Sequence, residues 1–124
     1  MKESPIFIKS FETLQWTLEH TRKFPKDQRF VLAKRIEDTF LSFYDAILDA
    51  SDHKGVAAVR TLHDADRLLE RLRHYNRLSV RMKFVSFNQY EHLAGRLEEI
   101  GKLLGGWLNG SVTSGRGRPD DERR

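Results

Sequence analysis

The chain has 124 residues, of which 39% are hydrophobic and 32% charged, and its formal net charge is +4; this predicts one folded, helix-rich domain and excludes a wholly disordered chain. Cysteine is absent, so disulfides and thiolate metal sites are excluded. No long apolar run follows the first residues, and we therefore expect a cytoplasmic protein with neither a signal peptide nor a membrane span.

Apolar residues recur at helical spacing from about Ile6 to Arg22 and predict a first helix. The members of this stripe are Phe7, Phe11, Leu14 and Leu18. A second helix is predicted to carry Pro25 in its first turn and to end near Ala50. Its stripe consists of Ala33, Ile36, Phe40, Phe43 and Ile47.

Residues 51–55 predict a connection, followed by a third helix that extends towards Val80. Its apolar face holds Leu62, Ala65, Leu68, Leu69, Leu72 and Tyr75. Ser86 and Gln89 resemble a capping box at the start of a fourth helix, and Asn109-Gly110 predicts its end. The fourth stripe is Tyr90, Leu93, Ala94, Leu97, Ile100, Leu104 and Trp107.

No segment with the alternating pattern of a strand remains, and the connections are short. The sequence therefore predicts an all-α protein, an up-down-up-down four-helix bundle that occupies residues 1–110. Residues 111–124 contain almost no apolar side chain, and a flexible C-terminal tail is expected there.

Glycines interrupt the fourth helix. Gly101 and Gly105 are four residues apart and so share one face, where missing side chains would allow another helix to approach closely. We interpret them, with Trp107, as a packing surface inside the bundle or between subunits; fraying of the helix end is the alternative. Trp16 and Tyr44 are aromatic residues in excess of one narrow core, which also favours an oligomer interface.

Arginines cover a broad arc of the third helix opposite its apolar face. They are Arg60, Arg67, Arg71, Arg73, Arg77 and Arg81. From Arg71 to Lys83 the segment has five cations and no Asp or Glu. Because guanidinium groups bind phosphate oxygens in bidentate fashion, we expect this face to bind a nucleic-acid backbone. Lys26, Lys34 and Arg35 could enlarge the surface, and a face that is merely solvated is the alternative.

Catalysis and metal binding are not predicted. None of the five histidines lies three or four residues from another, the spacing that would place two ligands on one helical turn. No nucleophile stands near an evident base, and no cluster of carboxylates is present for Mg²⁺. We therefore expect a protein that is not an enzyme and that needs no cofactor or metal.

Three segments carry a resemblance to a known family. They are FPKDQRFVLAKRIED (residues 24–38), LLERLRHYNRLSV (68–80) and QYEHLAGRLEEIGKLLGGW (89–107). They resemble the accessory variability determinant (Avd) of diversity-generating retroelements, within a wider group of small four-helix proteins that are also encoded in intervening sequences of large ribosomal RNA genes. The sequence departs from the family pattern at RMKFVSFN (81–88), where a short link with leucine and glycine is usual.

The resemblance implies a basic four-helix bundle that assembles into a homopentamer and has no catalytic activity. It implies binding of RNA and DNA and of the partner reverse transcriptase, in support of mutagenic complementary-DNA synthesis. The alternative function is a protein-interaction scaffold that does not bind nucleic acid directly.

Overall fold

The computed structural model describes residues 3–115, which form four α-helices and one short 3-10 helix. The bounds are α1 Pro5–Thr21, α2 Leu32–Ser51, α3 Gly55–Arg81 and α4 Phe87–Gly115, with the 3-10 helix at Lys26–Gln28. This part of the chain contains no strand. The prediction of an all-α four-helix protein is confirmed.

The helices pack in chain order around one core, and α4 returns to lie beside α1. Ring contacts show that these two helices run in opposite directions. The rings of Phe7 and Trp107 are 5.8 Å apart, and those of Trp16 and His92 are 4.7 Å apart. Residue numbers rise along α1 as they fall along α4, which is the geometry of an up-down-up-down bundle.

The core contains the predicted stripe of α2 and most of the stripes predicted for α3 and α4. The members that are only half-buried are Leu68, Tyr75, Tyr90, Ala94 and Trp107. The largest fully buried apolar side chains of the core are Phe40, Phe43, Ile47, Leu62, Leu69, Leu72, Leu97, Ile100 and Leu104. Truncating one such side chain to Ala costs about 2–5 kcal/mol of folding free energy. These residues hold α2, α3 and α4 in the register that positions the charged surface.

The predicted stripe of α1 is wrong in part. Phe7 and Leu14 are buried, but Phe11 is 44% exposed and Leu18 is only half-buried. The inward face is completed by small hydroxyl residues, namely Ser10, Thr13, Thr17 and Thr21. The Thr13 and Thr17 hydroxyls donate to carbonyls four residues earlier, at 2.7 and 2.8 Å. Because these two hydroxyls are satisfied within their own helix, they can be buried where the hydrophobic pattern indicates only apolar residues. The Thr21 hydroxyl donates to Glu37 of α2 at 2.6 Å, and the buried Ser10 hydroxyl has no hydrogen-bond partner among the described residues.

Two predicted helix boundaries also need correction. The second helix does not begin at Pro25, since the 3-10 helix and a turn precede Leu32. The fourth helix does not end at Asn109-Gly110 but continues to Gly115. No proline follows before Pro119, so nothing in the backbone forces an earlier end. The predicted tail is therefore helical over 111–115, and the remainder of it lies outside the described residues.

Ser86 and Gln89 form the predicted capping box. The Gln89 backbone N–H donates to the Ser86 hydroxyl at 3.1 Å, and the Ser86 N–H donates to the Gln89 side-chain oxygen at 2.8 Å. The reciprocal bonds satisfy donors that a helix start would otherwise leave unpaired. They fix the direction in which α4 leaves the connection after α3.

Candidate nucleic-acid interface

The antiparallel packing brings the α1–α2 and α3–α4 connections to the same end of the bundle. The rings of Phe24 and Phe84, one from each connection, lie 5.6 Å apart. We define the basic end as residues 22–35 and 77–89, which hold nine Lys and Arg residues and one acidic residue, Asp27. The nine are Arg22, Lys23, Lys26, Arg29, Lys34, Arg35, Arg77, Arg81 and Lys83.

The opposite end carries the reverse charge. We define the acidic end as residues 45–66, around the α2–α3 connection, with five Asp and two cations. The two cations are Lys54 and Arg60. Arg60 and Arg81 are separated by about 30 Å along α3. The predicted arginine face therefore does not form one compact site, because its first member lies at the acidic end.

The cations at the basic end are almost all without a carboxylate. Within residues 3–115, Lys34 is the one member of the nine in an ion pair, with Asp38 at 2.9 Å. That hydrogen bond raises the pKa of Lys34 and keeps it charged. An unpaired guanidinium keeps all of its donors available for phosphate oxygens.

The predicted arginines elsewhere on α3 differ in their partners. Arg67 pairs with Asp64, and Arg73 donates to Glu70 at 2.9 Å, each within the helix. The Arg73 hydrogen bond holds the pKa of Glu70 below its usual value. Arg71 has no carboxylate partner in the described part of the chain. The cations of the acid-free run from Arg71 to Lys83 thus have no carboxylate partner in the described part of the chain, except that Glu70 of the preceding turn pairs with Arg73.

Arg35 of α2 contacts α3, the helix that carries the predicted arginines. Its guanidinium donates to the Tyr75 hydroxyl of α3 at 3.3 Å. Both side chains line a groove of about 290 Å³ together with Leu78 and Met82. Lys26 lies in the 3-10 helix of the same end and is exposed. The structure therefore brings Lys26, Arg35 and the end of α3 to one region, which the sequence alone did not decide.

Lys83 has a left-handed backbone conformation, with φ of 63°. Its N–H donates to the Val80 carbonyl at 3.0 Å, and the Phe84 N–H donates to the Ser79 carbonyl at 2.9 Å. These two bonds define a Schellman motif, in which glycine usually takes the left-handed position. A residue with a side chain costs about 1 kcal/mol there. The unusual connection of this chain thus places an exposed cation where the backbone prefers glycine.

Gly101 faces α3, and the space above it holds the Arg73 side chain. A methyl group at Gly101 would collide with the Arg73 guanidinium. The glycine thus accommodates the mobile end of a side chain rather than a closely approaching backbone. At Gly105 no atom outside the helix lies within 4 Å among the described residues. Packing inside the bundle does not explain Gly105, and its role between subunits stays a prediction.

The aromatic residues assigned to an oligomer interface have contacts within the chain. Trp16 stacks on His20 with ring centroids 3.8 Å apart, and Trp107 packs on Phe7. Tyr44 lies 6.1 Å from Phe11, whose ring is 44% exposed. The bundle therefore accounts for much of the surface of Trp16 and Trp107, while the Phe11 side remains open to solvent.

Two exposed phenylalanines at the basic end were missed by sequence reasoning. Phe30 is 79% exposed and Phe87 is 61% exposed. Both lie outside the helical stripes, at the turn before α2 and at the first residue of α4. No signal in the sequence separates them from Phe24 and Phe84 of the same two connections, which are buried and half-buried.

Other classes of site find no support among residues 3–115. No group of three or more His, Asp or Glu side chains is placed to hold a metal ion. None of the helices in this range combines the length and apolar character that crossing a bilayer requires.

The family model for bAvd-like proteins matches residues 7–111. The chain belongs to the bAvd-like family. This confirms the resemblance carried by the three segments and places the chain in a group of non-catalytic accessory proteins. No curated protein matches the chain. A solved structure of similar fold is a protein of unknown function from the S23 ribosomal protein family of Bacteroides thetaiotaomicron. It is 23% identical, covers 88% of this chain and 99% of its own, and gives a TM-score of 0.79.

Proposed function

We propose that this protein is the non-catalytic accessory protein of a diversity-generating retroelement and that its basic end binds the phosphate backbone of the element's RNA and complementary DNA. The observation that carries the proposal is the cluster of eight cations at one end with no carboxylate partner among residues 3–115. Family membership supports the accessory role. In this role the protein escorts nucleic acid to the reverse transcriptase during mutagenic synthesis.

The mechanism is electrostatic. Arginine forks contact phosphate oxygens and release condensed counterions, so the protein contributes affinity while base pairing and the polymerase supply sequence. If about five phosphates are neutralised, the logarithm of affinity falls with the logarithm of salt concentration at a slope of about −4. Tight binding that does not respond to salt would contradict this mechanism.

The direct test changes Arg71, Arg77 and Arg81 together to Ala. These three have no ion-pair partner in the described part of the chain, so their removal leaves no carboxylate orphaned. We expect weaker binding of all RNA and DNA sequences and an unchanged thermal unfolding temperature. The matched control is Arg67→Ala, which removes an arginine already paired with Asp64. Equal affinity of the triple variant and the wild type would show that this surface does not bind nucleic acid.

We also propose a homo-oligomer, with a pentamer as the form implied by the family. The open side of α1 and α2 supports an interface, because Phe11 and Leu41 are 44% and 43% exposed beside the half-buried Tyr44. Mass photometry of the wild type is expected to give five copies, and Phe11→Glu to give smaller species. A wild-type monomer at micromolar concentration would contradict the assembly.

A second candidate function is a protein-interaction scaffold without nucleic-acid binding. The groove between α2 and α3 favours it, since Val31, Leu78 and Met82 are 60%, 46% and 54% exposed there. Titration with purified RNA and duplex DNA separates the two functions. Co-purification with a diversity-generating reverse transcriptase expressed together with this protein tests the shared part, which is binding of the polymerase.

A further inference from the structure

Phe30 and Phe87 are the two most exposed aromatic residues that the structure singles out at the basic end, at 79% and 61%. An exposed phenylalanine contributes nothing to the core and has no polar atom through which water could bind it. The core of this chain already contains Phe40 and Phe43, fully buried. The two exposed rings are therefore not needed for the core and are available to a ligand.

Both rings stand on backbone that is fixed by hydrogen bonds. Phe87 directly follows Ser86, which the capping box holds, and its ring lies 5.9 Å from that of Tyr90. Phe30 lies in a turn closed by the Val31 N–H, which donates to the Gln28 carbonyl at 3.1 Å. The rings are thus presented on ordered segments rather than on loose loops.

The segments that carry the rings are mainly cationic, with Asp27 before Phe30 and Glu91 after Phe87 as their nearest acids in the chain. Phe30 follows Arg29 in the chain, and its neighbour Val31 lines the same groove as Met82, next to Arg81 and Lys83. Phe87 lies four residues after Lys83. Flat apolar surfaces among unpaired cations match a polyanion that also offers flat apolar faces. Single-stranded nucleic acid has this combination, whereas the bases of a duplex are stacked on each other and unavailable.

We propose that the basic end binds single-stranded nucleic acid, with Phe30 and Phe87 as stacking platforms for bases and the neighbouring Arg and Lys side chains as phosphate contacts. This inference rests on the proposed nucleic-acid function and specifies its ligand. Stacking on a ring accepts every base, so the site is tolerant of sequence. Such tolerance suits a protein that handles a strand during its synthesis.

An acidic peptide is a less suitable occupant of these two rings. A peptide would fill the groove between α2 and α3, but neither Phe30 nor Phe87 lines that groove. A polyanionic strand can follow the cations from the Phe30 turn to the α3–α4 connection. Peptide docking is accordingly an outcome that the experiment can reveal.

The experiment measures fluorescence anisotropy of a labelled oligothymidylate, and of the same strand annealed to its complement, with wild type, Phe30→Leu and Phe87→Leu. Leucine keeps an apolar side chain but removes the ring. We expect each variant to bind the single strand about tenfold more weakly, with duplex binding and thermal unfolding unchanged. Phe30→Trp, which restores a larger ring, is expected to recover at least wild-type affinity. Val56→Ala, at an exposed apolar side chain of the acidic end, serves as the control.

The outcomes separate this inference from the function on which it rests. Wild-type binding of both ligands with no effect of the Phe→Leu changes would overturn stacking and leave the electrostatic proposal standing. Binding of neither ligand would overturn both. Loss of reverse-transcriptase co-purification in Phe30→Leu, with single-strand affinity intact, would assign the ring to peptide docking and overturn the inference.

Discussion

The two ends of the bundle have the same architecture and opposite charge. Each end consists of helix termini and short connections, yet the basic end has nine cations against one acid, and the acidic end has five acids against two cations. The net charge of +4 conceals this separation. The comparison teaches that the location of charge along the bundle axis, rather than its total, indicates which surface meets a polyanion.

The charge separation opposes the helix macrodipole on α2 and follows it on α3. Lys34 and Arg35 lie in the first turn of α2, and Asp45 and Asp49 lie near its last. The macrodipole favours the reverse arrangement, by about 0.3–1 kcal/mol for each charge. Arg81 lies in the last turn of α3, where the macrodipole favours a cation. Helix stability therefore does not account for the cations of α2.

The largest effect is expected from reversing charge at each end in turn. Arg77→Glu with Arg81→Glu should weaken single-strand binding by about 100-fold, because two charge-assisted contacts are lost. Lys54→Glu with Arg60→Glu, at the acidic end, should change affinity far less. Equal losses from both pairs, measured by anisotropy at one salt concentration, would show that the ends do not differ in function.

Lys83→Gly should separate stability from binding. Glycine removes the strain of the left-handed conformation, so the free energy of unfolding should rise by about 1 kcal/mol. Loss of the cation should weaken binding several-fold at the same time. Denaturant unfolding tests the expected rise in stability, and anisotropy on the same preparation tests the expected loss of affinity. A variant that is less stable than wild type would refute the account of this turn.

Asp49→Lys, at the acidic end, tests whether the location of a charge or the net charge controls binding. A cation near the end of α2 should raise stability by about 0.3–1 kcal/mol. The site is about 20 Å along α2 from Arg35 of the basic end, whereas the Debye length at 0.1 M salt is about 10 Å. Nucleic-acid affinity should therefore not change. A clear gain in affinity would mean that net charge, and not its location, controls binding.

A change in affinity smaller than that of the charge reversal is expected from Glu70→Gln, which releases Arg73 at the border of the acid-free run. Single-strand affinity should rise by a few-fold, and the salt slope should steepen by less than one unit. An unchanged affinity would indicate that Arg73 does not contact the strand. This change tests how far along α3 the binding surface extends.

Glu70 also predicts a pH dependence of stability. The Arg73 hydrogen bond lowers its pKa from the usual 4.5, so the folded state holds this proton less readily than the unfolded chain. The stabilising contribution is therefore fully present above pH 4.5 and is lost as pH falls through the lowered value. Because Glu70 is exposed, the effect should be small and weaker in high salt. Thermal unfolding of wild type and Glu70→Gln between pH 3 and 7 measures it.

The helical architecture was largely predictable because buried stripes have a period that a sequence displays directly. Phe40 and Leu97 are fully buried as their spacing predicts. Helix α1 was less predictable, since Thr17 is buried while Phe11 is exposed. A hydroxyl that donates to a carbonyl of its own helix can be buried, although a pattern based on hydrophobicity predicts that a polar residue is exposed.

The candidate site was predictable residue by residue but not as a surface. The acid-free run ending at Lys83 is visible in the sequence, whereas the alignment of Arg35 with Tyr75 depends on helix packing. The exclusion of Arg60 from the basic end follows from length along α3. Phe30 and Phe87 belong to connections, where no periodicity distinguishes an exposed ring from a buried one.

The separation of charge along the bundle has a consequence for encounters in solution. Opposite charges at the two ends give the molecule a large permanent electric moment along its long axis. In the field of a nucleic acid, the ligand proposed above, this moment would exert a torque that turns the basic end towards the strand. The first collision would then occur with the Lys83 turn foremost, and a larger share of collisions would have the productive orientation.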